Sequence, residues 1–149
     1  MGQLVAQRLG VAFRDTDSDI VAAAGRPISD IFYDDGEPHF RALESAAVSR
    51  ALAEHDGVLA VGGGAVLSAG SREELLGRVV VFLDVGMAAG ARRVGLARDR
   101  PVLTLNPRAM LHALLVERRP LYEQVATHTV ETDNRTPTEV ADAVVEAIG

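Results

Sequence analysis

Lysine, cysteine and tryptophan are absent from the 149 residues of this chain, and aromatic residues make up only 4% of it. The absence of cysteine excludes disulfide bonds, thiolate catalysis and cysteine-bound metal ions. The absence of lysine excludes a Schiff-base lysine, a lysine general base and the lysine of a P-loop in these residues. All fifteen basic side chains are arginine, so an anionic substrate would depend on local guanidinium groups.

Excess positive charge and long apolar runs are also missing. The net charge is −6 at pH 7, which argues against nonspecific nucleic-acid binding because such binding needs a basic surface. No apolar run approaches the roughly 20 residues of a membrane span, and no secretory leader is visible. We therefore expect a cytoplasmic protein without a membrane or nucleic-acid partner.

The residues that are present have the pattern of one soluble α/β domain over 1–149. Hydrophobic residues make up 48% of the chain and charged residues 24%. Short apolar runs alternate with helical segments, which predicts a parallel sheet with helices on both faces. The predicted strands lie near residues 10–17, 58–61, 79–85 and 129–131. The predicted helices cover residues 2–9, 17–24, 29–34, 38–54, a short stretch from 71, 87–95, 106–118 and 136–149.

Capping residues and apolar spacing add detail to three of these helices. Ser71 with Glu74, and Thr136 with Glu139, have the spacing of a capping box at a helix start. The first helix is predicted to bury its apolar side chains, which are Leu4, Val5 and Leu9.

The most informative run begins at Val58, where a short apolar stretch leads into Gly62, Gly63 and Gly64. An apolar run of this kind is typical of a strand buried on both faces of a parallel sheet. Ligands of such sheets bind beyond the carboxyl ends of the strands, and glycine allows close approach of the backbone. We expect the triplet to bind a substrate through backbone amides; a tight turn is the alternative.

Asp15 and Asp17 flank Thr16 at the end of the first predicted strand. Alternation along a strand would place both carboxylates on one face. There they could hold a metal's water shell, accept protons from substrate hydroxyls or orient a nucleophile. A helix N-cap is the alternative role for Asp17.

Four arginines are candidates for anion binding, because guanidinium forks bind carboxylates and phosphates through two parallel hydrogen bonds. Arg41 lies early in a predicted helix, where a solvated surface is the alternative. Arg118 ends a predicted helix, where it could instead interact with the helix C-terminus. Arg100 lies in a polar loop that could close over a phosphate or simply be solvated. Arg135 precedes the last helix and could stack on a base or be exposed.

Six short segments occur together in an order and spacing that distinguish one known family. They are Asp15-Thr16-Asp17, Ile31-Phe32 through Gly36-Glu37, Phe40-Arg41 with Glu44, Gly62 to Val66, Arg100 to Leu103, and Arg118-x-Pro120-Leu121-Tyr122. Each segment is weak alone, but together they span nearly the whole chain, which resembles shikimate kinase. The resemblance implies a three-layer, P-loop kinase-like α/β fold with a parallel sheet.

The resemblance also implies ATP-dependent phosphorylation of the shikimate 3-hydroxyl, on the route to chorismate and aromatic amino acids. By position, Asp17 would bind shikimate hydroxyls and help to deprotonate the nucleophile. Arg41 and Arg118 would bind the shikimate carboxylate, and residues 62–64 would add backbone contacts. Helices within about 18–54 would form the substrate-binding part. The side chains expected to brace the pocket are Phe32, Phe40 and Glu44.

ATP and Mg²⁺ are the cofactors that the resemblance implies. Arg100 would be the arginine of a lid at about 95–106 and would meet the phosphates during catalysis. Arg135 would lie against the adenine, and Asp15 would belong to the water shell of the magnesium ion. Shikimate would be the small-molecule partner, and the protein is expected to be a monomer.

One departure separates this chain from the family pattern. The family begins with a strand and a Gly-rich phosphate loop that ends in Gly-Lys-Ser/Thr, whereas Met1 to Leu4 matches the helix after that loop. We therefore expect the sheet to lack its first, central strand and these 149 residues to show no turnover. We also expect Met1 to be a misassigned start, because unpaired buried backbone groups cost about 1–3 kcal/mol each against a stability of roughly 5–15 kcal/mol.

Two other functions are compatible with the same residues. The chain could be a non-catalytic remnant that binds shikimate without ATP chemistry. It could also belong to a kinase for another small polyol or sugar acid. Such a kinase would need a carboxylate-binding site different from that of Arg41 with Arg118.

Overall fold

A computed structural model describes residues 1–85 and 107–149, without the side chains of residues 107–112. The described strands are β1 (Phe13–Asp15), β2 (Val58–Ala60), β3 (Val81–Asp84) and β4 (His128–Glu131). The described helices are α1 (Gly2–Leu9), α2 (Thr16–Ala24), α3 (Ile28–Asp35), α4 (Glu37–Glu54), α5 (Ala69–Leu75), α6 (Pro107–Val125) and α7 (Pro137–Ile148), with one 3₁₀ turn, Ala65–Leu67.

The strands form two parallel pairs within the described residues. β1 pairs with β2 so that Asp15 is opposite Ala60. β3 pairs with β4 so that Asp84 is opposite Glu131. The predicted parallel α/β class is confirmed. The two pairs do not join within the described residues, and the absence of a central strand stays a prediction.

One apolar cluster connects the two strand pairs. Its buried members lie on α1, β4 and α7, and they are Val5, Val130, Val140, Ala141 and Val144. Val58 of β2 and Leu83 of β3 pack against the same cluster from the two separate pairs. Because burial of apolar side chains is the main favourable term in folding, this cluster holds the two strand pairs together.

Several local predictions about helices were wrong. Leu9 is 40% exposed, and Ala6 is buried in its place because α1 turns that face towards the core. The cap of α5 is Ser68, which accepts a hydrogen bond from the Ser71 backbone, so the capping box predicted at Ser71 is not formed. The capping box at Thr136 is confirmed. The helix predicted for residues 106–118 continues through Pro120 to Val125.

Residues 86–106 lie outside the described parts of the chain, and with them the predicted lid, Arg100 and the helix predicted for 87–95. Within the described residues, none of the helices combines the length and the apolar character that crossing a bilayer would require.

Candidate active site

The first part of the site is the junction between β1 and α2. Asp15 caps α2, since its Oδ1 accepts a hydrogen bond of 2.9 Å from the Asp17 backbone N–H. Asp17 therefore lies in the first helical turn, and the expectations that it caps the helix or shares a strand face with Asp15 were wrong. The buried Thr16 hydroxyl lies 3.5 Å from the Ala60 carbonyl oxygen. This contact places the start of α2 beside the strand that leads into the glycine triplet.

The second part is Arg41 on α4, which is not the solvated surface residue of the alternative interpretation. Its Nη1 donates a 2.9 Å hydrogen bond to Oε1 of Glu44, a carboxylate that is only 2% exposed. Its guanidinium carbon lies 5.3 Å from the centre of the Phe40 ring and 5.9 Å from that of Phe32. Glu37 binds the same guanidinium at 3.3 Å. Carboxylates and aromatic faces both attract a cation, so the Arg41 side chain is held in one orientation.

The third part is the glycine triplet, which follows β2. Positive φ angles do not explain these glycines, because the positive-φ glycines of the described chain are at other positions. Close packing explains two of them. A Cβ added to Gly64 would overlap the Arg41 guanidinium, and one added to Gly63 would lie 3.2 Å from the Tyr122 hydroxyl oxygen. The triplet is therefore a place where side chains from two helices meet the backbone.

The fourth part is the α6 turn that carries Arg118 and Tyr122. The Tyr122 hydroxyl donates a 2.8 Å hydrogen bond to the Gly63 carbonyl. Arg118 Nη1 lies 4.0 Å from the Cβ position that would be added at Gly63. Since α6 continues to Val125, Arg118 lies inside the helix and does not interact with its C-terminus. Arg118 Nε is buried and has no hydrogen-bond partner within the described residues.

These contacts bring together most of the residues that were predicted to bind the substrate. Arg41 and Arg118 reach adjacent glycines, 64 and 63, from α4 and α6 respectively. Asp15 and Asp17 stand at the carboxyl end of the neighbouring strand, whose partner β2 leads into Gly62. The structure thus provides two guanidinium groups, two carboxylates and a glycine backbone at one edge of the sheet, which is suited to a small polyhydroxylated anion.

Arg135 lies apart from this group on the loop between β4 and α7. Its side chain is exposed, and its backbone N–H donates to the Thr132 carbonyl at 3.3 Å. The preceding residue, Asn134, has a φ of 58°. No contact with the substrate residues is seen for Arg135 in the described parts of the chain.

Tyr122 and Asp84 are site neighbours whose contacts sequence reasoning missed. The sequence indicates Tyr122 only as the last residue of the segment that begins at Arg118. Nothing in its sequence context indicates that its hydroxyl reaches Gly63. Asp84 ends β3 and binds Arg119 through both carboxylate oxygens. Its position at a strand end was the available signal, because the other strand ends also carry candidate residues.

The Tyr122 contact leads to a stability prediction. Tyr122→Phe should lower the free energy of unfolding by about 0.5–1 kcal/mol, because the Gly63 carbonyl loses its hydrogen bond from the Tyr122 hydroxyl. Urea unfolding measures the change. Tyr33→Phe is the matched control, since the Tyr33 side chain is 88% exposed, and it should leave the stability unchanged. Equal stabilities of the two variants would contradict the contact.

The described residues contain no cluster of carboxylates that would bind a magnesium ion directly. No group of three His, Cys, Asp or Glu side chains that could hold a metal ion occurs within 1–85 and 107–149. The chain has no lysine, so no ammonium group is available to bind phosphate oxygens. One Asp15 oxygen is already used in capping α2.

Known proteins of one family match this chain over its full length. The model of the family described as "Shikimate kinase" matches residues 1–149. The shikimate kinase of Saccharopolyspora erythraea is 56% identical over 149 residues, which are 99% of this chain and 85% of that protein. The shikimate kinase of Streptomyces avermitilis is 55% identical over 148 residues, with 99% of this chain and 86% of that protein covered.

One solved structure with the same fold is a complex with shikimate. The shikimate kinase from Acinetobacter baumannii in complex with shikimate superposes with a TM-score of 0.93 at 35% identity. The match covers 97% of this chain and 82% of that one. The shikimate kinase from Aquifex aeolicus matches with a TM-score of 0.80 at 26% identity.

Proposed function

The chain belongs to the shikimate kinase family, and on that premise we propose that Arg41 and Arg118 together bind the carboxylate of shikimate. The activity of the family is phosphoryl transfer to shikimate with ATP as the donor. The observation that carries the proposal is the approach of both guanidinium groups to adjacent glycines. The predictions of a small-molecule kinase and of its shikimate kinase fold are confirmed by the family match and the structural neighbours.

The two arginines would contribute to carboxylate binding in different ways. Arg41 is fixed before substrate arrives, because Glu44 and the two aromatic rings hold its guanidinium group. Arg118 keeps its buried Nε available, since no described residue accepts a hydrogen bond from it. A substrate carboxylate would supply an acceptor for that donor, and charge-assisted hydrogen bonds of this kind are about twice as strong as neutral ones.

The hydroxyl groups of shikimate would lie towards Asp17 and the glycine triplet. Asp17 is in the first turn of α2, directly after β1, so its carboxylate stands at the carboxyl end of that strand. An ionised carboxylate accepts hydrogen bonds from hydroxyls and can take the proton of the attacking 3-hydroxyl. The backbone of residues 62–64 would complete the contacts from the opposite side.

ATP would bring Mg²⁺ with it, and this ion would contact Asp15 through water rather than directly. The capping bond uses only Oδ1 of Asp15, so the role of this carboxylate would be to orient water in the ion's shell. Arg135 would lie against the adenine, and Arg100 would meet the phosphates, although it lies outside the described residues. The expectations of a monomer, a cytoplasmic location and no turnover from these 149 residues stay predictions.

Calorimetry with three ligands tests the carboxylate proposal. Shikimate should bind, whereas its methyl ester should bind about 10- to 100-fold more weakly, because the ester cannot accept two charge-assisted hydrogen bonds. A polyhydroxylated acid with a different ring geometry is the control for the alternative of another sugar-acid kinase, and it should bind more weakly than shikimate.

Equal binding of shikimate and its methyl ester would overturn the carboxylate proposal. Tighter binding of the other acid would favour a different substrate.

A further inference from the structure

Arg119, the neighbour of Arg118, forms a two-pronged ion pair with the end of β3. Its Nη1 donates to Asp84 Oδ1 at 2.9 Å, and its Nη2 donates to Oδ2 at 2.6 Å. Its guanidinium carbon lies 5.6 Å from the centre of the Phe82 ring. Its Nε donates to Glu123 at 3.1 Å. The contacts with Asp84 and Phe82 attach α6 to β3, and the contact with Glu123, on the next turn of α6, helps to orient the guanidinium group.

Asp84 is itself well anchored. The Thr132 backbone N–H and hydroxyl both donate to the Asp84 carbonyl, at 3.0 Å and 3.2 Å. The Asp84 side chain is 17% exposed, so solvent screens it less than a surface carboxylate. Hydrogen bonds from Arg119 hold the pKa of Asp84 below its usual value, and the pair is charged at neutral pH.

The segment that this pair holds is the turn of α6 that contains Pro120. Pro120 lies inside the helix, where it has no N–H for the carbonyl four residues earlier and its ring crowds that carbonyl. The helix around residues 116–120 therefore needs support from outside. Phe82 packs against the Tyr122 ring at 4.9 Å and adds to that support from the same strand.

We propose that Asp84 and Arg119 are positioning residues, which hold the Pro120 turn of α6 so that Arg118 stays beside Gly63. Successive helical residues point about 100° apart, so Arg119 can bind β3 while Arg118 points to the glycine triplet. The inference rests on the proposed function, in which Arg118 binds the substrate carboxylate. Neither Asp84 nor Arg119 needs to touch the substrate.

Asp84→Asn tests the proposal in the purified protein, with shikimate affinity from an NMR titration as the readout. The variant keeps the shape of the side chain but removes its charge, and it should weaken shikimate binding about three- to tenfold. Asp142→Asn is the matched control, since it breaks the Arg8–Asp142 pair of 3.0 Å between α1 and α7. This control should bind shikimate like the original protein.

A second set of variants separates positioning from general loosening. Arg119→Lys keeps a point charge without the fork and should bind shikimate with an affinity between those of the original protein and Arg119→Ala. In an Arg118→Ala background, Asp84→Asn should have no further effect on affinity, because the residue it positions is gone.

The outcomes distinguish this inference from the proposed function. If the original protein does not bind shikimate, the proposed function itself fails. If it binds shikimate and Asp84→Asn binds as tightly as Asp142→Asn, the positioning role is overturned. An equal loss of affinity with and without Arg118 would also overturn it. Circular dichroism melts of all variants establish that each one is folded.

Discussion

Gly64→Ala is expected to lower shikimate affinity by about 10- to 100-fold. The added Cβ would occupy the position of the Arg41 guanidinium, with Nη2 only 2.7 Å away. Arg41 would have to leave its place between Phe40 and Glu44. The carboxylate of the substrate would then lose one of its two proposed partners.

The same variant should also be less stable. Overpacking of a tight contact costs about 1–3 kcal/mol, and displacing Arg41 separates it from a carboxylate that is 2% exposed. Urea unfolding measures the stability, and calorimetry with shikimate measures the affinity. Unchanged values of both would show that Arg41 does not occupy the space beside Gly64.

Alanine substitutions at two other glycines are controls in which the added Cβ has more space. A Cβ at Gly63 would meet the Tyr122 hydroxyl at 3.2 Å, so Gly63→Ala should have a smaller effect than Gly64→Ala. A Cβ at Gly70 on α5 would meet nothing closer than 3.7 Å, and Gly70→Ala should stabilise the helix by about 0.5–1 kcal/mol. In an Arg41→Ala background, Gly64→Ala should have little further effect on affinity, since no guanidinium remains to be displaced.

The sequence was sufficient to predict the order of the described strands and helices and the approach of Arg41 and Arg118 to the glycine triplet, but not the position of Arg135. Apolar runs, glycines and helix starts are local signals, and they placed β2, α4 and α7 within a few residues of their observed bounds. The glycine triplet was expected to bind a substrate. For two of its members the structure shows why a larger residue would not fit. Gly63 and Gly64 leave room for side chains of α6 and α4.

Predictions failed where tertiary contacts outweigh local preference. Proline predicts a helix end, yet α6 continues past Pro120 because Arg119 and Tyr122 hold the flanking turns against β3 and the glycine segment. This outcome depends on Asp84 and Gly63, which are far from α6 in sequence and which no local pattern contains.

Arg118→Ala is the second variant with a large expected effect. It should lower the affinity for shikimate and leave the free energy of unfolding nearly unchanged. Loss of this guanidinium should weaken shikimate binding by about 10- to 100-fold, since it removes charge-assisted hydrogen bonds to the substrate carboxylate. The free energy of unfolding should change by no more than about 0.5 kcal/mol, because the buried Nε has no hydrogen-bond partner in the described protein to lose. Arg118→Lys should recover part of the affinity but not the two-pronged geometry.

Arg41→Ala is the variant with which Arg118→Ala should be compared. Arg41 binds Glu44 and Glu37 and lies against two aromatic rings, so its removal should reduce both affinity and stability. Arg50→Ala, at an exposed position of α4, controls for the loss of one positive charge and should change neither. If Arg118→Ala destabilised the fold as much as Arg41→Ala while shikimate still bound, Arg118 would be a structural residue. Binding of the substrate carboxylate would then have to be assigned to Arg41 alone.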